Sequence, residues 1–272
     1  MNYYDNISKD EFLKQHFAFL EISEAEKVLT ITLDREQKKN ALHPQMVNEI
    51  AYAMQYAHSN QAIWIVVFQA NGNVFCAGAD LKAMMGMAEE NDSSIPAPNK
   101  PILVAHLFSG IHKPCIAKVE GDVFAGGFFF LAGCHIVLAL EGLKFGLPEV
   151  KRGLYPFQVM ESLMKVMPAR KVIDWCIRGY NLPVAEALKY GLVTEVVPRD
   201  KMDELAASVL DELKQNSPTA IRLGLEALEK IQSSSDHHEY LMGMLMKAIG
   251  SKDGQEGLTA FREKRSPNWT GE

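Results

Sequence analysis

The 272 residues contain no G-x-S-x-G nucleophile elbow, no G-x-x-x-x-G-K-[ST] phosphate loop, no G-x-G-x-x-G turn and no H-E-x-x-H pair. The motif-borne routes to serine-hydrolase, nucleoside-triphosphate, dinucleotide and zinc-protease chemistry are therefore missing. Long hydrophobic runs are missing as well: none approaches the ~18 uncharged apolar residues that span a bilayer. Residues 1–14 mix both charge signs without the apolar stretch of a secretory leader, so a cytoplasmic protein with no membrane partner is expected. There is no surplus of positive charge. Twenty-eight Lys and Arg against 34 Asp and Glu give a net charge of −6, which argues against a nucleic-acid partner bound through a broad positive field. A polyanionic small ligand needs only a few placed cations and stays allowed. Cysteine is scarce and scattered: Cys76, Cys115, Cys134 and Cys176 form no C-x-x-C pair, so neither a zinc knuckle nor a disulfide framework is indicated and buried thiols are expected. His237-His238-Glu239 lacks a partner at i+4 and reads as a solvated helix start, leaving no metal site.

What is present is an ordinary folded composition, 47% apolar and 23% charged, arranged as alternating strands and helices. Leu29, Ile31 and Leu33 alternate with Thr30 and Thr32, and residues 17–22 can pair with them through the polar turn 23–26. Pro44 opens a helix with Val47, Ile50, Ala51, Met54 and Ala57 at helical spacing, with Asn40 or His43 as its cap. Residues 63–69 (IWIVVFQ), 115–119 and 136–140 read as strands covered on both faces. Residues 123–132, with a central Ala-Gly-Gly, suit a buried helix. The proline-rich 91–101 stretch reads as a loop or partly mobile flap. A short strand is expected at 193–197, and amphipathic helices follow from Lys201 to the end. The composition shift near 200 divides the chain into a core unit, 1–200, and a helical unit, 201–272.

Two turns stand out, each after a strand and before a helix: Phe75-Cys76-Ala77-Gly78-Ala79-Asp80-Leu81 and Gly121-Asp122-Val123-Phe124-Ala125-Gly126-Gly127. The first N–H groups of a helix have no intrahelical partner. Small residues there leave those donors open to a developing negative oxygen, and two such turns can form an oxyanion hole.

The two turns, with Phe145-Gly146-Leu147-Pro148-Glu149, Ala185-Glu186-Ala187-Leu188 through Gly191-Leu192-Val193, and Phe261-Arg262-Glu263-Lys264-Arg265, run in order along nearly the whole chain. Together they resemble the crotonase family of enoyl-CoA hydratases and isomerases. The resemblance implies an α/β fold, a crotonase-like spiral of ββα units carrying the site, followed by a C-terminal helical region that builds a homotrimer or a hexamer of paired trimers. It implies an acyl-CoA thioester as substrate and no cofactor, CoA being part of the substrate. By motif position, the N–H groups of Ala79 and Gly126 would hold the thioester oxygen and Glu149 would move protons at the acyl chain. Asp80, Leu81 and Lys82 fall in the substrate-binding stretch, Lys82 and Lys264 match cations for the CoA phosphates, and Phe261 would pack on the pantetheine arm. A thioester Cα–H is too weakly acidic for a carboxylate unless the enolate is stabilised as it forms, so donors and base must act together. Glu149, between Pro148 and Val150, is expected to be partly desolvated.

One departure matters. Phe129 stands where the family's two-glutamate pattern has its first catalytic glutamate, and 153–160 (GLYPFQVM) replaces the common Pro-Gly-x-Gly-Gly-Thr run. Phe128, Phe129, Phe130, Met84, Met85, Phe157 and Met160 can shape an apolar acyl tunnel or plain core, and Asp122, Tyr155, Gln158 and Glu161 are candidates to support a lone glutamate. Hydration of a 2-enoyl thioester and double-bond migration in a 3-enoyl thioester are the leading activities. Decarboxylation, thioester hydrolysis, and a non-catalytic acyl-CoA- or RNA-binding scaffold are the alternatives.

Overall fold

A computed structural model describes residues 3–87, 89–152, 154–233, 247 and 250–272. After a short helix α1 (Lys9–Leu13), β1 (Leu20–Ala25) pairs antiparallel with β2 (Val28–Leu33). Ser23 and Glu24 lie within β1, so the turn is not the expected 23–26. It is formed by Glu26 and Lys27, both at positive φ (48° and 71°), as tight two-residue hairpins require. Then come α2 (Pro44–Ser59), β3 (Ile65–Ala70), β4 (Val74–Cys76) and α3 (Leu81–Met84). These are followed by β5 (Cys115–Val119), β6 (Asp122–Phe124), α4 (Phe128–Gly133), β7 (Ile136–Leu140), β8 (Lys144–Gly146) and α5 (Phe157–Leu163). The chain continues through α6 (Ala169–Arg178), β9 (Asn181–Pro183), α7 (Val184–Lys189), β10 (Glu195–Val197), α8 (Met202–Gln215), α9 (Pro218–Ser233) and α10 (Lys252–Glu263).

One plan repeats: β3-β4-α3, β5-β6-α4 and β7-β8-α5. The first strand of each unit joins a six-stranded sheet of order β1-β2-β3-β5-β7-β10, the second a four-stranded sheet of order β4-β6-β8-β9. All neighbours run parallel except β1 against β2 and β8 against β9. The ββα spiral is thus explicit. The main core fills one side of the large sheet, and a second cluster, including Ile65, Val67, Ile116, Leu138, Met202 and Val209, lies under α8 on the other. Coverage of both faces is why 63–69 reads as a continuous apolar run.

Helix α2 starts where Pro44 and His43 place it, His43 Nδ1 accepting from the Gln45 N–H at 3.1 Å. Its spacing predicts one buried stripe, yet Met46 and residues 48–57 are all buried. The outer face is covered by the N-terminal arm: Phe12 stacks on Tyr56 at 3.8 Å and Tyr4 meets Tyr52 edge-on at 5.0 Å. The 91–101 segment is pinned by the same arm and by α2 itself. Ser94 N–H donates to His16 O (3.0 Å), Asn99 N–H to Tyr3 O (2.8 Å), and Asn48 Nδ2 donates to Pro96 O (3.0 Å).

Residues 123–132 are not one helix. Val123 and Phe124 belong to β6, Ala125 takes a left-handed φ of 50°, a 3-10 turn covers Ala125–Gly127, and only then does α4 begin. All four cysteines are buried and free; burial pushes the Cys76 and Cys115 thiols up to about 12. Helix α10 packs on α9, and the buried Asp253 accepts from Thr270 N–H at 2.7 Å, fixing the last residues. The expected helix around Leu241, Leu245 and Ala248, and the His237-His238-Glu239 cluster, lie outside the described residues. No helix among the described residues is long and apolar enough to cross a membrane.

Candidate active site

Strands β4, β6 and β8 lie side by side and parallel, with Cys76 opposite Val123 and Phe124 opposite Gly146. Parallel strands present their C-terminal ends along one edge, about 4.8 Å apart, and that edge is where open α/β sheets place their ligands. Ala79 follows β4 by three residues, Gly126 follows β6 by two, and Glu149 follows β8 by three. Residues 70 positions apart in sequence are thereby delivered to one edge.

The first two turns touch. Gly78 has φ +89°, and a methyl group there would fall 2.7 Å from Ala125 Cβ and 2.8 Å from the Gly126 nitrogen; a Cβ on Gly126 would lie 3.5 Å from the Ala79 nitrogen. Ala79 forms a parallel bridge with Leu42, in which Leu42 N–H donates to Gly78 O (2.7 Å) and Asp80 N–H to Leu42 O (3.1 Å). In a parallel bridge the central residue's own N–H points away from its partner, so the Ala79 N–H is directed away from Leu42. Gly126 lies in the first turn of the 3-10 segment, where N–H groups have no intrahelical acceptor. Two neighbouring backbone donors can stabilise one oxyanion.

Glu149 opens a 3-10 turn, Glu149–Arg152, and is half-buried with its Oε2 fully enclosed. The adjacent Cys176 thiol is pushed up to about 11, first by burial and then by the charge of Glu149. Burial, and then Cys176, raise the Tyr155 hydroxyl in turn; that hydroxyl donates to Met160 Sδ at 3.4 Å. Of the other proposed supports for Glu149, Asp122 sits at the opposite, N-terminal end of β6, where its carboxylate accepts the Lys144 N–H at 2.8 Å. That corrects its assignment. Gln158 and Glu161 are exposed on α5.

Phe129, one turn beyond Gly126, lines a cavity of about 400 Å3 with Phe108, Val166, Leu225 and His135. Phe128 and Phe130 are core instead, packed on Phe145 and Trp175, and on Phe68 and Phe75, respectively. Phe157 is 69% exposed, its ring 5.0 Å from that of Tyr155. Leu81 and Lys82 are exposed on α3. Lys264 is exposed just past α10, at φ 54°; the side chains of Met84, Phe261 and Arg262 lie outside the described set.

The Asp80 carboxylate caps α3 through Ala83 N–H (3.1 Å) and pairs with Arg35 Nη1 (2.8 Å). Burial alone would raise this carboxyl; the Ala83 N–H and the Arg35 guanidinium hold it below the usual carboxylate range. Neither Arg35 nor the bridging Leu42 was marked by sequence. Their signal is tertiary, a 35–42 loop laid against the 77–80 turn. His43 belongs to this cluster: burial, then the nearby Arg35 charge, lower its proton affinity below the ordinary value of 6.5.

Unfolded His43 protonates near 6.5 while folded His43 stays neutral to lower pH. The stability this provides is complete above about 6.5 and is lost as pH falls through the folded value. Between pH 7 and 5 the wild type should therefore lose more unfolding free energy than His43→Asn, whose Asn retains capping ability. Equal losses in urea titrations would show that His43 titrates alike in both states.

A ββα spiral whose strands alternate between a six-stranded and a four-stranded sheet is the crotonase fold. Residues 23–272 match the enoyl-CoA hydratase/isomerase family model, and the chain belongs to that family. Among its relatives are the mevalonyl-coenzyme A hydratase sidH of Aspergillus fumigatus (29% identical, covering 89% of this chain and 91% of that one) and the enoyl-CoA hydratase EchA19 of Mycobacterium tuberculosis (31%; 89% and 92%). A crystal structure of an enoyl-CoA hydratase from M. tuberculosis H37Rv superposes with a TM-score of 0.82 at 26% identity, covering 94% of this chain and all of the other.

Proposed function

We propose that this chain is an enoyl-CoA hydratase that works with one carboxylate. The observation that carries the reading is the delivery of Ala79, Gly126 and Glu149 by three neighbouring parallel strands to one edge; relatives named as hydratases support the choice of reaction. Glu149 takes a proton from water as the hydroxide oxygen bonds to Cβ of a 2-enoyl thioester. The displaced π electrons move onto the thioester oxygen, where the N–H groups of Ala79 and Gly126 hold the enolate. Glu149 then returns the proton to Cα and the carbonyl re-forms, so one water has been added.

Phe129 favours a second reading. An apolar ring at the position of the missing glutamate offers no second carboxylate to orient water, whereas one carboxylate suffices to carry a proton between Cα and Cγ of a 3-enoyl thioester. Incubating 2-enoyl- and 3-enoyl-CoA with the enzyme in deuterated water separates the two. Hydration predicts a 3-hydroxyacyl-CoA carrying deuterium at Cα. Double-bond migration without addition of water would replace the hydratase reading by the isomerase one, and no reaction with either would remove both.

Lys264 is proposed to meet a CoA phosphate, in a homotrimer or hexamer in cytoplasm. Lys264→Ala should then raise KM for the acyl-CoA several-fold with kcat little changed, because contacts to remote ligand atoms bind ground and transition states alike. An unchanged KM would return Lys264 to the solvated surface.

A further inference from the structure

Arg35 is 1% exposed, although a buried guanidinium needs compensation for every donor it takes from water. Here the compensation is specific. Nη1 pairs with Asp80 Oδ2 at 2.8 Å and donates to Ala41 O at 3.0 Å; Nε donates to Glu89 Oε1 at 2.7 Å and Nη2 lies 2.5 Å from the same oxygen. Its own N–H donates to Asn40 Oδ1 at 2.8 Å, and Asn40 Nδ2 donates to Asn71 O and Val74 O, both at 2.8 Å. Lys39 and Asn40 are both left-handed, at φ 54° and 51°, a strained conformation that persists only where surroundings dictate it.

The loop so fixed lies against the turn that carries Ala79. Ala77 N–H donates to Lys39 O (3.0 Å), Leu42 N–H to Gly78 O, and Asp80 N–H to Leu42 O. The backbone on both sides of Ala79 is therefore tied to residues 39–42, and the side chain immediately after it is tied to Arg35. Glu89, the other carboxylate on Arg35, begins the segment that runs to the pinned residues Ser94, Pro96 and Asn99.

We infer that Arg35 is a positioning residue: by gripping Asp80 and Glu89 at once it sets the direction of the Ala79 N–H and locks the 77–80 turn to the 89–101 segment. The inference rests on the reading of Ala79 as an oxyanion donor. Preorganised donors lose effect steeply with misplacement, a 1 Å error costing about 10²-fold, so a brace around one peptide group acts on rate more than on substrate affinity.

Two variants test it. Asp80→Asn keeps an oxygen to cap α3 but removes the ion pair. The triple variant Arg35→Met, Asp80→Asn, Glu89→Gln removes all three charges together, so no buried charge is left unpaired and folding is retained. In each, kcat for a 2-enoyl-CoA is expected to fall by about tenfold or more, with KM for the ester changed by less than about threefold. The infrared carbonyl band of a bound saturated acyl-CoA, lowered in the wild type by the two N–H donors, is expected to move back towards its free frequency. A purely structural role would shift the melting temperature and leave the band of the bound ligand unmoved. Folded variants with wild-type kcat and a wild-type band would overturn the role of Arg35 alone. A wild-type band that does not move on binding would overturn the oxyanion reading, and this inference with it.

Discussion

Glu149→Gln is expected to lower kcat by about 10²–10⁴-fold, the range set by loss of a positioned general acid-base, with the Kd for a saturated acyl-CoA changed less than about threefold. The amide is nearly isosteric, so the 3-10 turn Glu149–Arg152 and the packing beside Cys176 survive. What is lost is the ability to accept and return a proton. Because one Glu149 oxygen is fully enclosed, bulk water is a poor substitute at that position. A companion change should appear at Cys176: with the neighbouring negative charge removed, only burial is left to raise its thiol, so in the folded protein the thiolate should form at slightly lower pH. Near wild-type kcat after Glu149→Gln would mean that another group moves the proton.

Gly78→Ala is the second large effect. Gly78 sits at φ +89°, and its absent side chain is the space that the other turn occupies: the new methyl would lie 2.7 Å from Ala125 Cβ and 2.8 Å from the Gly126 nitrogen. Relief requires the 77–80 and 125–127 turns to move apart, displacing both proposed donors in one step. The expected loss is at least that of one oxyanion donor, about 10²–10³ in kcat, accompanied by roughly 1–2 kcal/mol of left-handed strain. Rate per folded molecule, with the folded fraction taken from urea titration, separates the two contributions. Wild-type kcat in this variant would show that the turns do not cooperate at one oxygen.

Local signals made much of this legible. Strands 115–119 and 136–140 fall where their apolar runs place them, because a fully covered strand has no polar face to blur its ends. Helix α2 begins at Pro44 for reasons written in two residues, the imide at N1 and the His43 cap. Segment 123–132 misleads since its apolar run continues through a left-handed Ala125, a conformation the composition does not announce. Segment 91–101 is the loop that its prolines announce, but its pinning escapes, because its anchors, Tyr3, His16 and Asn48, lie 48 to 96 residues away in sequence. The two proposed donors could be picked from glycine-bearing turns, whereas the proposed Arg35 brace could not. An arginine 45 residues before the aspartate it grips carries no mark of that pairing until Leu42 and Ala79 lie side by side.

The proposed arrangement is one thioester oxygen between two N–H groups, with one carboxylate at the adjoining carbons. A crystal structure of the enzyme with a saturated acyl-CoA bound tests it most directly. The thioester oxygen is expected about 2.7–3.1 Å from both the Ala79 and Gly126 nitrogens, with a Glu149 oxygen within direct or single-water reach of Cα and Cβ. An acyl-CoA whose carbonyl lies away from both nitrogens, or whose Cα and Cβ are out of reach of Glu149, would contradict it.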